Sequence, residues 1–198
     1  MDNDSTLMRR IRDKDERAFA LLVTRHGGRM LAVATRMLGS RADGEDAVQL
    51  SFMRCLTAAG AYRPEWAVTT WLYRILTNVC IDEIRRRRVR EGTGAAQPDP
   101  FAAGRAADRG AGRHDGRAGG AGHEPAAARD RPGARIDLQR ALMKMPTEAR
   151  VLLVLRYVDG LSYNELARVR GISVNTVKSQ LWRGRAILKA ILKKEGLR

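Results

Sequence analysis

The sequence predicts an all-α protein of two small helical domains joined by a flexible linker. Both flanks of the chain repeat apolar residues at the intervals of amphipathic helices, and neither flank shows the alternating pattern of strands. The segment between the flanks, residues 92–133, contains 10 Gly and 4 Pro in 42 residues. With 198 residues, the chain is long enough for one or two domains.

Residues 1–91 form the first predicted domain. Apolar periodicity places its helices near 4–24, 27–38, 42–59 and 67–90. Turn signals at Gly27-Gly28, at Gly39-Ser40 and between Gly60 and Pro64 mark the breaks. Cys55 and Cys80 lie within these helical patterns, so we expect small buried hydrophobic residues there rather than a disulfide or a zinc site.

Residues 92–133 form the predicted linker. Phe101 is its only large apolar side chain, so the segment cannot bury enough apolar area to offset its ordering entropy. His114 and His123 lie in it without partner ligands, so we expect solvated histidines and no metal site. We assign this segment no role beyond tethering.

Residues 134–198 form the second predicted domain, with helices near 135–144, 147–157, 162–170 and 173–193. The last two helices fit a helix-turn-helix. Ser162 and Glu165 match a capping box, Gly171 supplies the turn, and Ser173 can cap the final helix.

The final helix separates an apolar stripe from a polar face. The stripe contains Val174, Val177, Leu181, Leu188 and Ile191. The polar face contains Ser173, Asn175, Thr176, Lys178, Ser179 and Arg183. Amide and guanidinium groups suit the base edges of a DNA major groove, and hydroxyls suit phosphates. We therefore expect this face to contact DNA; the alternative is a solvated face of a small bundle. Trp182 and Trp71 are each open to interpretation as core aromatics.

The charge balance favours a polyanionic partner. The formal net charge is +15, and residues 134–198 alone contain 14 Lys/Arg against 5 Asp/Glu. No apolar run approaches the roughly 18 residues that a membrane-spanning helix needs, so no membrane insertion is expected. The polar, acidic N-terminus predicts no signal peptide.

Two helices of the first domain carry further chemistry. Glu45, Asp46, Gln49 and Phe52 form an acidic, amide and aromatic stripe that suits a basic helical partner; alternatively, the acids only complement the helix dipole. On the next helix, Arg74, Asn78 and Arg85 share one face. The run Arg85–Arg88 complements a helix C-terminus and also suits phosphates. Trp71 and Tyr73 lie beside arginines and are candidates to stack on bases exposed from a duplex.

The chain resembles a bacterial sigma factor of the extracytoplasmic-function type in the sigma-70 family. The matching stretches are "GEDAVQLSFMRCL", "TWLYRILTNVCIDEIRRRR", "MPTEARVLLVLRYVDGLSYNELA" and "GISVNTVKSQLWRGRAIL", in the family's order on both sides of the linker. The resemblance implies a cytoplasmic, non-enzymatic protein without cofactors. Such a protein binds core RNA polymerase and directs transcription initiation from specific promoters.

The resemblance also implies a role for each stretch. Residues 1–91 would be sigma domain 2, and residues 134–198 sigma domain 4. Glu45, Asp46, Gln49 and Phe52 match the helix that binds the coiled coil of the polymerase β′ subunit. Contacts to the −10 element would come from the loop and helix residues Tyr62, Trp66, Trp71, Arg74, Asn78, Arg85 and Arg86. The face from Ser173 to Arg183 matches the −35 contact surface. Domain 4 would rest on the β flap, and an anti-sigma factor is a further expected partner.

Three features depart from the family's pattern. Ser51 stands where an acidic residue is common, Ala67 stands where an aromatic is common, and the linker is nearly neutral where family linkers are often acidic.

Three other functional classes are alternatives to a sigma factor: an independent helix-turn-helix regulator, a basic RNA-binding module and a nucleic-acid-modifying enzyme. The enzyme has the least support, because the chain has no Ser-His-Asp set, no H-E-x-x-H and no phosphate-binding glycine loop.

Overall fold

The computed structural model describes residues 3–92 and 132–195, with side chains from residue 138 onward in the second range. The regular elements among these residues are all helices, which confirms the predicted all-α fold. The chain divides into two compact units, Met1–Glu91 and Gly92–Arg198. Most of the predicted linker, residues 93–131, lies outside the described residues.

The helix bounds are close to the predicted ones except near the N-terminus. The first unit contains α1 (Asp4–Arg12), α2 (Glu16–Leu38), α3 (Arg41–Thr57), a 3-10 helix (Ala59–Ala61) and α4 (Val68–Arg90). The second unit contains α5 (Pro132–Met143), α6 (Thr147–Tyr157), α7 (Tyr163–Arg170) and α8 (Val174–Lys194). Within the part of the chain that the structure describes, no helix is long and apolar enough to cross a membrane.

The predicted helix break at Gly27-Gly28 is wrong, because α2 continues through both glycines. The break lies at Lys14, which has a φ of 64°. Asp15 then caps α2 by accepting hydrogen bonds from the backbone N–H groups of Arg17 (2.9 Å) and Ala18 (3.1 Å). A glycine inside a helix costs only about 1 kcal/mol, and the packing of α2 against α3 and α4 outweighs that penalty.

The turn between α2 and α3 sets these two helices side by side. Gly39 ends α2 with a φ of 82°, a conformation that glycine adopts without a steric penalty. Ser40 caps α3 by accepting a hydrogen bond from the N–H of Asp43 (3.3 Å). The helices approach each other tightly at Gly44, where an added Cβ would lie 2.7 Å from Oγ1 of Thr35. The exposed sides of α2 and α3 therefore border the same groove.

Helix α1 packs on α2 through apolar and polar contacts. Its side chains Leu7, Met8 and Ile11 are buried. Asp4 forms an ion pair with Arg25 and a 2.8 Å contact with Nε2 of His26. His26 therefore helps to hold α1 on the first unit.

Helix α6 packs against α7 and α8 in the second unit. Arg150 on α6 is buried, and its guanidinium donates hydrogen bonds to the carbonyls of Met143 (2.9 Å) and Met145 (3.2 Å). This arginine thereby satisfies carbonyls at the end of α5. Glu148 on α6 pairs with Arg170 in the last turn of α7, with both side chains largely buried. The Arg150 hydrogen bonds therefore join α6 to the end of α5, and the Glu148–Arg170 pair joins α6 to α7.

The predicted helix-turn-helix is formed by α7 and α8. Ser162 and Glu165 make both hydrogen bonds of the capping box, and Gly171 turns the chain with a φ of 65°. The buried side of α8 is centred on Val177, Gln180, Leu181 and Gly184. Three residues of the predicted stripe, Val174, Leu188 and Ile191, are only half-buried. The core contact of α8 is thus concentrated in its first half.

Candidate nucleic-acid and partner interfaces

An acidic face and an apolar groove lie together on the first unit. Glu45, Asp46 and Gln49 are exposed on α3, and Glu45 pairs with Arg41 at 2.9 Å. Phe52 is only 5% exposed and packs edge-on against Phe19 of α2, with ring centroids 6.2 Å apart. Phe52 therefore forms part of the floor of the groove, and Glu45 and Gln49 stand at its edge, whereas Asp46 is exposed but is not among the lining residues.

The groove runs between α2 and α3 and has a cavity volume of about 420 Å³. Its apolar lining comes from Phe19, Val23, Leu31, Val48, Phe52 and Met53. Met53 is 60% exposed, so the groove opens to solvent. The contribution of α2 was missed from the sequence, although Phe19, Val23 and Leu31 recur at multiples of four residues. The false break at Gly27 interrupted that pattern.

The loop before α4 is held in place by aromatic contacts. The hydroxyl of Tyr62 donates a hydrogen bond to the carbonyl of Trp66 (2.7 Å), and its ring packs edge-on against Trp71 at 5.5 Å. The guanidinium of Arg74 lies 5.2 Å from the centre of the Trp66 ring, a cation–π contact. The loop is therefore ordered against the first two turns of α4.

One side of α4 presents polar groups to solvent. Arg74, Asn78 and Arg85 are exposed, as the spacing predicts. Trp71 and Tyr73 are 9% and 4% exposed and face the core. Trp66, which is half-buried, is therefore more accessible than Trp71 or Tyr73. Trp71 supports the loop through its contact with the ring of Tyr62.

The four arginines at the end of α4 have different surroundings. Arg87 contacts the carboxylates of Asp43 (2.6 Å) and Glu83 (3.0 Å). The hydrogen bond from Arg87 is the main reason why the pKa of each carboxyl lies below its usual value. Arg85 and Arg86 are exposed. These two arginines are available to an external anion, whereas Arg87 fastens α4 to α3.

The start of α8 presents the polar face predicted from the sequence. Ser173 caps the helix by accepting a hydrogen bond from the N–H of Thr176 (3.1 Å), and the two hydroxyls lie 2.9 Å apart. Asn175, Lys178, Ser179 and Arg183 are exposed. Because a helix N-terminus carries partial positive charge, this end of α8 favours a polyanion.

Trp182 is a residue that the sequence left undecided and the structure places on the surface. Its side chain is 66% exposed, so the interpretation as a core aromatic is wrong. It lies between Lys178 and Arg183 on the part of α8 that carries the polar face. The sequence does contain a signal for this exposure, because Trp182 follows Ser179 by three residues and Lys178 by four, which places it on the same side of the helix as these polar residues.

The described residues contain no cluster of three or more His, Cys, Asp or Glu side chains suited to a metal ion. Cys55 and Cys80 are free and buried, and burial raises the pKa of each thiol to about 12. At neutral pH both are therefore thiols, not the thiolates that ligate metals or act as nucleophiles.

The two units match two regions of one protein family. Residues 22–90 match Sigma-70 region 2, and residues 135–188 match Sigma-70, region 4. The RNA polymerase sigma-H factor of Pseudomonas aeruginosa is 30% identical over 193 residues, which cover 96% of this chain and 94% of that protein. The ECF RNA polymerase sigma factor SigE of Mycolicibacterium smegmatis is 34% identical over 176 residues, 87% of this chain; the chain spans 61% of that relative.

Solved structures share the fold. The structure of CnrH in complex with the cytosolic domain of CnrY aligns with a TM-score of 0.67 and 26% identity, over 98% of this chain and 99% of that one. The sigma factor RpoE in complex with the anti-sigma factor NepR from Bartonella quintana aligns with a TM-score of 0.62 over 88% of this chain and 96% of that one. At 22% identity, the second comparison supports the fold alone.

Proposed function

We propose that the two units of the chain have different roles in promoter recognition, because the chain belongs to the extracytoplasmic-function sigma factors of the sigma-70 family, which direct RNA polymerase to promoters. Residues 1–91 act as domain 2, which docks on polymerase and contacts the −10 element. Residues 134–198 act as domain 4, which contacts the −35 element and rests on the β flap. Residues 92–133 tether the two domains.

The groove between α2 and α3 receives the coiled coil of the polymerase β′ subunit. Two features support this role: an apolar floor that includes Phe52, and a rim that carries Glu45 and Gln49. Glu45 and Asp46 are exposed and attract a basic helix, while apolar residues of that helix enter the groove. Polymerase binding then depends on α2 as much as on α3.

The loop before α4 and the exposed side of α4 contact the −10 element as it opens. Extruding a base costs a few kcal/mol, and stacking on an aromatic ring returns about 1–3 kcal/mol. Trp66 offers such a ring, and Tyr62 and Trp71 hold its loop in position. Arg74 and Asn78 contact bases or the non-template strand, while Arg85 and Arg86 contact phosphates. The exposed pair Arg74 and Asn78, beside the ordered loop, is the observation that carries this assignment.

The start of α8 enters the major groove of the −35 element. Asn175, Lys178 and Arg183 supply donors for base edges or phosphates, and each good bidentate base contact is worth about 1–3 kcal/mol. Ser173 caps the helix, and the Ser179 hydroxyl donates a hydrogen bond to the Thr176 carbonyl (3.0 Å). The hydroxyls of Ser173, Thr176 and Ser179 contact the DNA backbone. Polymerase holds both domains at once, so the second DNA contact gains effective concentration.

The proposed role needs no catalytic chemistry from the chain itself and places it in the cytoplasm with polymerase. Of the two solved structures of the same fold, one is in complex with the cytosolic domain of CnrY and the other with the anti-sigma factor NepR. We therefore include an anti-sigma factor among the partners of this chain. Such a partner would hold the chain away from polymerase until a signal releases it.

In vitro transcription tests the proposal. Core polymerase with the purified full chain is expected to initiate at new sites on a genomic template, and mapped start sites should share −10 and −35 elements. A Glu45→Arg, Gln49→Ala chain is expected to lose co-elution with core polymerase, while a Val89→Ala chain, changed at an exposed position outside the groove, retains it. An absence of both co-elution and new transcripts with the unchanged chain would refute the proposal. An independent helix-turn-helix regulator would bind DNA but would not co-elute with core polymerase.

A further inference from the structure

A buried ion pair lies beside the helix-turn-helix of the second unit. Nη2 of Arg170, the last residue of α7, donates a hydrogen bond to Oε2 of Glu148 in the first turn of α6. The side chains of Arg170 and Glu148 are only 10% and 13% exposed. By contrast, Lys144 in the ion pair with Glu195 is 60% exposed. Neither Glu148 nor Arg170 belongs to the surfaces proposed to contact DNA or polymerase.

A buried ion pair adds little net stability to a fold. Two charges taken out of water lose their hydration, and their attraction roughly offsets that loss, so apolar side chains of similar volume often stabilise a fold equally well. Apolar side chains do not supply direction, whereas a guanidinium hydrogen-bonded to a carboxylate has a fixed position relative to it. The Glu148–Arg170 pair is therefore better suited to fixing a geometry than to raising stability.

The location of the pair connects it to the start of α8. Arg170 directly precedes Gly171, which turns the chain with a φ of 65°, and Ser173 then caps α8. The residue after Glu148 faces α8, because a Cβ added to Gly184 would lie 3.5 Å from Cβ of Ala149. The first turn of α6 therefore holds both the end of α7 and the buried side of α8. A shift of α7 against this turn would change the direction in which α8 starts.

We propose that Glu148 and Arg170 are positioning residues for recognition of the −35 element, because their ion pair fixes the direction in which the polar face of α8 enters the major groove. The inference rests on the proposed function of domain 4. Both side chains are largely buried, so they act through the exposed residues of α8. Hydrogen bonds to base edges weaken steeply when they are misaligned, whereas attraction to phosphates depends mainly on charge. Loss of the pair therefore reduces discrimination between bases more than it reduces affinity.

Replacing both partners by apolar side chains separates position from stability. A chain that carries Glu148→Leu and Arg170→Met together is expected to melt within about 5 °C of the unchanged chain. Glu148→Leu alone leaves the buried Arg170 without this carboxylate, and is expected to lower the melting temperature of the second unit by about 10 °C or more. Thermal unfolding of the full chain, followed by circular dichroism, measures both changes.

Promoter discrimination is the measurement that a purely structural role would not change. Holoenzyme made with each full chain is titrated with a mapped promoter duplex and with duplexes that carry single-base changes in the −35 element. For the double variant, the ratio of these affinities is expected to fall about tenfold at one or more positions, while the salt dependence of binding stays the same. Arg170→Lys keeps the charge but not the planar guanidinium, and is expected to lower the same ratio by a smaller factor.

A chain with Lys144→Met and Glu195→Gln is the matched control, since it loses an ion pair that joins the end of α5 to the end of α8 in the same unit. It is expected to keep the ratio of the unchanged chain. The proposal is overturned if the double variant or Arg170→Lys discriminates between bases as the unchanged chain does. It is also overturned if the double variant melts as early as Glu148→Leu alone, since the pair would then serve stability only. The proposed function is tested separately, by whether holoenzyme with the unchanged chain prefers the mapped −35 element at all.

Discussion

The guanidinium of Arg87 near the end of α4 lies 2.6 Å from the carboxylate of Asp43 in the first turn of α3. The same guanidinium contacts Glu83 on its own helix at 3.0 Å. This bridge joins the helix proposed to contact DNA to the helix proposed to bind polymerase. One arginine of the run Arg85–Arg88 is therefore a structural residue, which its neighbours in the sequence do not reveal.

The bridge predicts a specific dependence of stability on pH. Asp43 and Glu83 have pKa values below the usual range, first because of the hydrogen bond from Arg87. A carboxylate with a lowered folded-state pKa stabilises the fold above its unfolded pKa of about 4, and this stabilisation is lost as the pH falls through the folded-state value. Asp43→Asn is therefore expected to lower stability at pH 7 by up to about 1 kcal/mol, and the difference should shrink near pH 3.

Urea titrations of the full chain at both pH values, followed by tryptophan fluorescence, to which the buried Trp71 of the first unit contributes, measure this difference. Arg85→Ala is the control, because Arg85 is an exposed neighbour in the same arginine run and does not contribute to the lowered pKa of Asp43 or of Glu83. It is expected to change stability little at either pH. An Asp43→Asn chain that differs from the unchanged chain by the same amount at pH 7 and pH 3 would contradict the assignment.

Gly44→Ala is expected to destabilise the first unit. The new Cβ would lie 2.7 Å from Oγ1 and 3.0 Å from the backbone nitrogen of Thr35, and the backbone of α2 cannot move aside locally. The cost of such overpacking, about 1–3 kcal/mol, exceeds the gain of about 1 kcal/mol from replacing glycine inside a helix. Thermal unfolding followed by circular dichroism measures the effect.

Gly28→Ala is the matched control for Gly44→Ala. Gly28 also lies inside a helix, but no atom lies within 4 Å of its added Cβ. This change is expected to stabilise α2 by about 1 kcal/mol. If both substitutions shift the melting temperature in the same direction, the close contact between α2 and α3 at Gly44 is not what limits that position.

Asn78→Ala is expected to slow open-complex formation without changing polymerase binding. Asn78 is exposed on α4 and lies outside the groove between α2 and α3. Loss of a base contact worth about 1–3 kcal/mol should also relax the preference for one base of the −10 element. Permanganate footprinting on a mapped promoter and its −10 variants measures both effects. Unchanged kinetics with an unchanged base preference would remove Asn78 from the contact surface.

Tyr62→Phe is expected to weaken the loop while keeping its ring on Trp71. The change removes the 2.7 Å hydrogen bond to the Trp66 carbonyl, a bond worth about 1 kcal/mol. Open-complex formation should slow by roughly fivefold if the loop is used for base capture. Binding to a promoter that already has an unpaired −10 region should slow less. Equal effects on both templates would mean that the loop does not assist opening.

Lys178→Ala and Arg183→Ala are expected to reduce the salt dependence of promoter binding. Each cation that neutralises a phosphate contributes about 0.9 to the slope of log affinity against log salt concentration. Holoenzyme titrations over a range of salt concentrations measure this slope. Lys194→Ala, in the last turn of α8 and some three turns beyond Arg183, should leave the slope unchanged. A slope unaffected by either of the first two variants would remove this face from the DNA.

Local patterns determined much of the fold. The capping box of Ser162 and Glu165, the turn at Gly171 and the cap at Ser173 depend on neighbours within a few residues, so the sequence was sufficient to place α7 and α8. The exposed polar side chains of α8 follow from the same periodicity. Likewise, the net charge of the chain predicts a polyanionic partner without any knowledge of the structure.

Tertiary structure decided the features that depend on distant residues. Packing of α2 carried that helix through Gly27-Gly28, and the close approach of α3 completed the groove from two separate stretches of sequence. Whether Arg87 binds Asp43 or a phosphate, and whether Trp182 is buried or exposed, depends on which helix lies opposite. Periodicity gives the side of a helix on which a residue lies, but only the packed neighbours determine what that side contacts.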